Sequence, residues 1–337
     1  MSISVETQNR TNDALGQSDA FVAFQQDLSR VAPVERPVLI IGERGTGKEL
    51  AATRLHYLSS RWNEALVTLN CAALAPTLIA SELFGHEAGA FTGASKPRTG
   101  RFETAHLGTL FLDEIGSIPF EAQEKILRVV EYGSFERVGS SSPTQVNVRI
   151  IGATHHDLPT LAESGKFKRD LLDRLSFEVL VLPALRERQE DILLLTNHFA
   201  ARMAFELELT SVPEFSSAAI ARLQAHQWPG NIRELKNVIE RAVYRSGGLK
   251  IDEIEFDPFR SARSQPISKT VDTDTQTKTD TSESQNSLPD AIRQLEIQML
   301  KDALTRARFN QSKAAKILGL SYHQFRGLYR KHIKRPG

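Results

Sequence analysis

The sequence predicts an α/β fold. A mainly parallel sheet flanked by helices is followed by an all-helical segment and then by a small all-α unit. Three observations carry this. Short apolar runs alternate with amphipathic stretches from residue 17 to about 182, the pattern of a parallel sheet with crossover helices. A glycine-rich segment stands between the first apolar run and the helix-like stretch after it. A polar, aliphatic-poor stretch then separates this body from a short basic end.

Strands are expected at 38–41, 66–69, 107–112, 148–153 and 178–182, and the segments between them are long enough for helices. Residues 17–182 thus form an α/β subdomain behind a polar tail at 1–16. Residues 183–260 read as a helical lid, with amphipathic helices at 190–208 and 216–227 and, after the Pro229-Gly230 break, 232–244. In 261–287, Ile267 and Val271 are the only aliphatic residues larger than alanine. Such a stretch buries too little apolar surface to offset its ordering entropy and reads as a flexible linker. As a coil it would span roughly 30 Å root-mean-square. Structure resumes at Leu288-Pro289, where proline suits a first helical turn, and 288–337 forms the last domain.

Lys and Arg total 42 against 41 Asp and Glu, so bulk charge selects no partner. Locally it does: Lys313, Lys316, Arg326, Arg330, Lys331, Lys334 and Arg335 fall in 310–337 with no acid among them. That points to nucleic acid at this end, the alternative being a solvated basic terminus. Cys71 is the single cysteine, which excludes an intramolecular disulfide framework and fits a reducing cytoplasm. Residues 1–13 carry no apolar signal core, and no apolar run approaches the ~20 residues that span a bilayer. A soluble cytoplasmic protein without membrane insertion is expected.

Gly42-Glu43-Arg44-Gly45-Thr46-Gly47-Lys48-Glu49 follows the first strand. Between a strand and a helix, Gly-x4-Gly-Lys is a phosphate cradle: backbone N–H groups and the helix N-terminus face the anion, and Lys48 reaches the β- and γ-phosphates. The usual closing Ser or Thr is Glu49 here, so Mg²⁺ would rely on phosphate oxygens, water and Asp113. Leu110-Phe111-Leu112-Asp113-Glu114 delivers two acids at the C-terminal edge of a buried strand. Asp113 would hold Mg²⁺ and Glu114 would orient the attacking water of ATP; alone, such a pair could equally be a solvated loop. Between these motifs, Gly89-Ala90-Phe91-Thr92-Gly93-Ala94 places one aromatic residue among small ones, too little to build a core. It reads as a tip that presents Phe91 and Thr92 to a partner.

Near the C-terminus, 311–318 reads as a helix, Gly319-Leu320 as a turn, and Ser321-Tyr322-His323-Gln324 as a capping box opening a second helix with Arg326, Arg330 and Lys331. This is a helix-turn-helix pattern, the alternative being a small dimerisation module. Tyr322, His323, Gln324 and Arg326 would face the major groove, while Arg330 and Lys331 meet phosphates. The stretch 288–307, apolar at Ile292, Leu295, Met299, Ala303 and Leu304, would pair two such domains.

Over nearly the whole chain these motifs resemble the bacterial enhancer-binding proteins, AAA+ ATPases that activate sigma-54 RNA polymerase. The resemblance implies an AAA+ P-loop ATPase with a helical lid and a Fis-type helix-turn-helix domain. It implies ATP and Mg²⁺ as cofactors, and enhancer DNA and sigma-54 RNA polymerase holoenzyme as partners. It also implies assembly from dimer to hexamer, with nucleotide between subunits. Asn70 would couple Glu114 to the nucleotide state, or simply cap its strand. Thr154 matches a polar sensor position, followed by His155 where Asn is more usual. Of two arginines offered to a neighbouring subunit, one matches Arg174; the other falls on Lys168, with Arg169 a step later. Structural salt bridging is the alternative for all three. Arg233, in Trp228-Pro229-Gly230-Asn231-Ile232-Arg233-Glu234-Leu235, matches a γ-phosphate sensor on the lid.

No receiver or ligand-sensing domain is expected ahead of Gly42, the layout of members that serve envelope stress and are held by a separate inhibitory protein. Trp62, in the polar stretch after Tyr57, either docks that protein or packs on its own domain. A DNA-processing AAA+ motor and an ATPase-dead DNA-binding repressor are the competing readings.

Overall fold

The computed structural model describes residues 14–258 and, towards the C-terminus, 298–300, 302–304, 307, 311–320, 325, 326, 328 and 329. The chain divides into two compact units between Ser264 and Gln265.

The first unit opens with helix α1 (Asp19–Val31), which buries Phe21, Phe24, Leu28 and Val31. Strand β1 (Val38–Ile41) runs into the glycine-rich loop and helix α2 (Lys48–Tyr57). Next come β2 (Leu66–Asn70), α3 (Pro76–Phe84), the short α4 (Arg101–Thr104) and β3 (Thr109–Asp113). Helix α5 (Phe120–Tyr132) leads into a hairpin of β4 (Ser134–Glu136) and β5 (Pro143–Gln145). The subdomain closes with β6 (Arg149–Thr154), α6 (Leu158–Glu163), α7 (Arg169–Leu175) and β7 (Glu178–Val181).

β1, β2, β3, β6 and β7 form one parallel sheet in the order β2-β3-β6-β1-β7. Both faces are covered, which explains the uninterrupted apolar runs. Leu39, Leu110, Leu112 and Ile150 pack one core with α3 and α5 residues, while Ile40, Phe111, Ile151 and Ala153 pack the other with α1 and α2. The register pairs Ile41 with Thr154 and Asn70 with Asp113. Asn70, Asp113, Thr154 and the start of the glycine-rich loop therefore share one sheet edge.

All five expected strands are present, the first with the expected bounds and the others within two residues of theirs. The third starts at Thr109 rather than 107 because Leu107 has a φ of 66°, which an extended strand does not permit. The β4–β5 hairpin was not foreseen: three-residue strands give no readable alternation.

The helical segment contains α8 (Gln189–Glu206), α9 (Ser217–Ala225) and α10 (Asn231–Ser246). Ser216 caps α9 by accepting from the Ala219 amide, and Gly247, at φ 58°, ends α10. Trp228 is fully buried among these helices, its indole N–H donating to Leu223 O at 2.9 Å. A buried knot fastens α8 to the N-terminal segment. Asp191 pairs with Arg188 at 2.8 Å and accepts from the Gln17 amide and from the Ser18 amide and hydroxyl.

In the second unit, residues 298–300 and 302–304 are helical, and α11 (Gln311–Ile317) ends before Gly319, whose φ is 67°. Ala314 and Ala315 are buried with Leu300, Ala303, Leu304, Ala307 and Phe325. Among the described residues, no helix is long and apolar enough to cross a membrane.

Candidate active site

The phosphate loop is folded for an anion. Gly47 sits at the N-terminus of α2 with φ 102°, a backbone region that favours glycine. Lys48 is buried, and its ammonium donates to Gly42 O at 2.8 Å and Glu43 O at 3.0 Å. Burial pulls the Lys48 pKa down, and the charges of Glu114 and Asp113 oppose that fall. Thr46 is buried and donates to Glu43 O, while Arg44 and Glu49 are exposed.

Two strands supply the acids. Asp113 ends β3, and its carboxyl is held above the usual carboxylate range by burial and then by the Glu114 charge. Asn70 donates to Asp113 Oδ2 at 2.8 Å, and its side-chain oxygen accepts from the Ala72 and Ala73 amides. Asn70 thus touches Asp113 rather than Glu114 and also caps the turn after its strand. Glu114 has a left-handed backbone, φ 54° and ψ 48°, and its partner is His155, whose Nδ1 lies 2.6 Å from Glu114 Oε2. Thr154 is buried at the end of β6, between β1 and β3, and its hydroxyl accepts from the His156 amide. Cys71 lies behind the pair; burial first, then Asp113 and Glu114, push its thiol up to about 12.

The lid is tied to the loop by residues outside the phosphate motif. Asn231, buried with a φ of 52°, donates to Glu43 Oε2 and Arg44 O and accepts from the Leu185 amide. Arg186 grips Glu43 with two bonds, and those bonds with that from Asn231 lower the Glu43 pKa to about 2. A Cβ on Gly45 would lie 2.3 Å from Gly230 O, so loop and lid meet where a side chain has no room. The Arg233 amide donates to Gly45 O at 3.3 Å, and its side chain is exposed at this seam.

Beside the loop lies a mainly apolar cavity of about 220 Å³, walled by Phe21 and Phe24 of α1, Gly47 of the loop, Ala51 of α2, and Phe199 and Ile232 of the lid. Gln25 also lines it, and its buried amide has no hydrogen-bond partner. The sequence did not reveal this cavity, because its walls come from three separate segments with ordinary amphipathic spacing.

The Gly89–Ala94 tip is closed by a bond from the Gly89 amide to Ala94 O at 2.7 Å. Phe91 and Thr92 are exposed, Ala90 is half-buried, Gly93 is exposed and Ala94 is buried. The Phe91 ring meets His86 edge-on, 4.9 Å between centroids. Arg137 clamps the base of the tip, bonding Glu87 and Glu103. Their carboxylates raise the Arg137 pKa above its ordinary value.

The remaining expected residues lie elsewhere. Lys168 contacts Glu124 and the Phe120 ring, and Arg174 bonds Glu131, so both engage α5. Arg169 is exposed at the start of α7. Trp62 is 62% exposed, with Tyr57 and Leu58 exposed nearby in sequence, so it does not pack into its own domain. In the second unit Arg326 is exposed; Ser321, Tyr322, His323, Gln324, Arg330 and Lys331 lie outside the described residues.

A phosphate loop, an acid pair at the end of the strand one beyond its neighbour and a helical lid joined to that loop define a P-loop NTPase domain of the AAA+ class. The family described as "Sigma-54 interaction domain" matches residues 14–180, "AAA+ ATPase lid domain" 186–272, and "Bacterial regulatory protein, Fis family" 291–331. The chain is 50% identical over 327 residues to the Psp operon transcriptional activator of Escherichia coli K12, covering 95% of this chain and 98% of that one. It is 40% identical over 307 residues to the regulatory protein AtoC of the same organism, covering 91% of this chain and 65% of that protein. Among solved structures, NtrX from Brucella abortus in complex with ADP superposes at a TM-score of 0.69 with 32% identity, covering 97% of this chain and 71% of NtrX. NtrX in complex with ATP gives 0.68 at 32% identity and the same 97% coverage of this chain. The chain belongs to the family of sigma-54-dependent transcriptional activators.

Proposed function

We propose that this chain hydrolyses ATP to remodel the sigma-54 RNA polymerase closed complex while its C-terminal unit holds enhancer DNA. The observation that carries the reading is the shared sheet edge. Lys48, Asp113, Glu114 and Thr154 meet there, and the same edge leads through Asn70 and α3 to the exposed Phe91 tip. The ligands named for the two NtrX structures support nucleotide at the loop.

The donor set fits a nucleotide with a divalent cation. The cavity beside Gly47 would take the base, with the unpaired Gln25 amide available to its polar edge. The 42–49 loop and Lys48 would hold the phosphates, and Asp113 would hold Mg²⁺, which screens charge on the transferring group. Glu114 orients the attacking water; His155 holds that carboxylate in place until substrate arrives. Thr154 and Arg233 sense the terminal phosphate from sheet and lid. Arg174, with Lys168 or Arg169, faces a neighbouring subunit's nucleotide in a hexameric ring. Asn70 passes the state of Asp113 to α3, releasing Phe91 from His86 towards sigma-54. The name of the Psp relative supports a Psp operon, an envelope-stress operon, as the target, and the exposed Trp62 would dock a trans-acting inhibitor. The proposed division of labour is a tail at 1–16, the α/β subdomain at 17–182, the lid at 183–260, a linker at 261–287 and the DNA-binding domain at 288–337.

The test is open-complex formation on a sigma-54 promoter with ATP. Wild type should open it and Lys48→Ala should not. Phe91→Ala should hydrolyse ATP and fail to open it; normal opening by that variant would refute the coupling.

A further inference from the structure

We propose that Glu114, His155 and His156 form a site for a borderline divalent metal, with Zn²⁺ the best fit, which arrests the ATPase by capturing Glu114. One ligand atom from each residue lies within 4.8 Å of the other two, and all three side chains are half-buried and reachable. The fold builds this meeting. β6 delivers consecutive histidines at its C-terminal end, beside the end of β3 where Glu114 follows. The left-handed backbone of Glu114 places its carboxylate 2.6 Å from His155 Nδ1. The His156 amide is anchored on Thr154 Oγ1 at 2.9 Å, and the two imidazoles lie 3.9 Å apart at 40°.

Two imidazoles and one carboxylate, with water in the fourth position, are a ligand set of zinc sites that use three protein ligands. Mg²⁺ prefers oxygen ligands alone, so the pair of histidines separates this site from the oxygen-only chemistry assigned to Asp113. At Zn–N and Zn–O lengths near 2.1 Å, tetrahedral ligand atoms sit about 3.4 Å apart. The existing separations, from 2.6 Å to at most 4.8 Å, bracket that value, so side-chain rotation suffices. The metal takes the place of the proton between His155 and Glu114. Glu114 then cannot orient water, while Lys48, Asp113 and the base cavity remain free to bind nucleotide. The arrest rests on the ATPase reading; the binding does not.

The experiment uses tag-free full-length protein. Without nucleotide, Zn²⁺ uptake is measured by competition with a chromophoric chelator, and Co²⁺ is titrated for its visible absorption. Wild type should take up one Zn²⁺ per chain, and His155→Asn and His156→Asn should each weaken uptake about ten-fold or more. With Mg²⁺ and ATP in excess, turnover should fall as Zn²⁺ is added and recover with a zinc-selective chelator. His156→Asn should keep its turnover in zinc-free Mg²⁺ buffer and resist the inhibition. No stoichiometric uptake, or unchanged uptake by His156→Asn, overturns the site. Uptake without loss of turnover overturns the arrest. Absence of turnover with Mg²⁺ and ATP before any Zn²⁺ is added refutes the ATPase reading instead, and the uptake measurements still decide the site.

Discussion

Glu114 carries the most specific demand at the residue scale, a side chain on a left-handed backbone held by a histidine from the next strand. Glu114→Gln keeps the shape and removes the charge that polarises water. Hydrolysis should fall by about 10²- to 10⁴-fold while binding of a fluorescent ATP analogue persists; loss of both would remove Glu114 from its assigned step. Lys48 and Asp113 were legible because glycine spacing and a strand ending in acids each leave a local pattern. The bond from His155 to Glu114 was not, since it joins positions 41 residues apart. Of the two readings of Asn70, the cap is seen directly, since it accepts from the Ala72 and Ala73 amides, and the register sets it opposite Asp113.

Between elements, the lid seam decides how binding is felt. Asn231, Glu43 and Arg186 join lid to loop; Glu43 and Asn231 stand inside readable motifs, and Arg186 stands in none. The Glu43 pKa is lowered to about 2, so its contribution to stability is complete above the ordinary value of 4.5 and is lost as pH falls from there through about 2. The pair is well exposed, so solvent keeps the effect small. Glu43→Gln should flatten that stretch of the stability curve in acid titrations followed by circular dichroism. Trp228 is the lid's largest buried side chain. Trp228→Ala should cost about 3–5 kcal/mol, read as a lowered denaturation midpoint, whereas a change under 1 kcal/mol would mean that the lid core is held elsewhere. The helices of this region were legible from their spacing, but their ends were fixed by features such as the Ser216 cap and Gly247.

The whole molecule joins an ATPase to a second, basic unit. Arg326, exposed on a helical segment, belongs to the proposed DNA surface. Arg326→Ala should weaken enhancer binding by about 1–3 kcal/mol if it reads a base, with unequal losses across site variants. A uniform loss with a shallower salt dependence would assign it to phosphate instead, and mobility shifts on a set of altered sites separate the two. The passage from a parallel sheet to an all-helical segment was legible because strands and helices leave different apolar spacings. The cavity beside Gly47 was not, because its walls come from the N-terminal helix, α2 and the lid.

The knot at Asp191 has a practical consequence for anyone trimming the chain. A fragment starting at Asp19 keeps every residue of the phosphate loop, yet it strips Asp191 of the donors on Gln17 and Ser18 and removes Leu15 O from the Arg188 guanidinium. That guanidinium lies 3.8 Å over Phe21, a wall of the base cavity. Such a fragment should be cut sooner by protease within the lid and bind nucleotide more weakly than one starting at Ala14. A lost activity in it would report a severed fastening rather than a missing catalytic group.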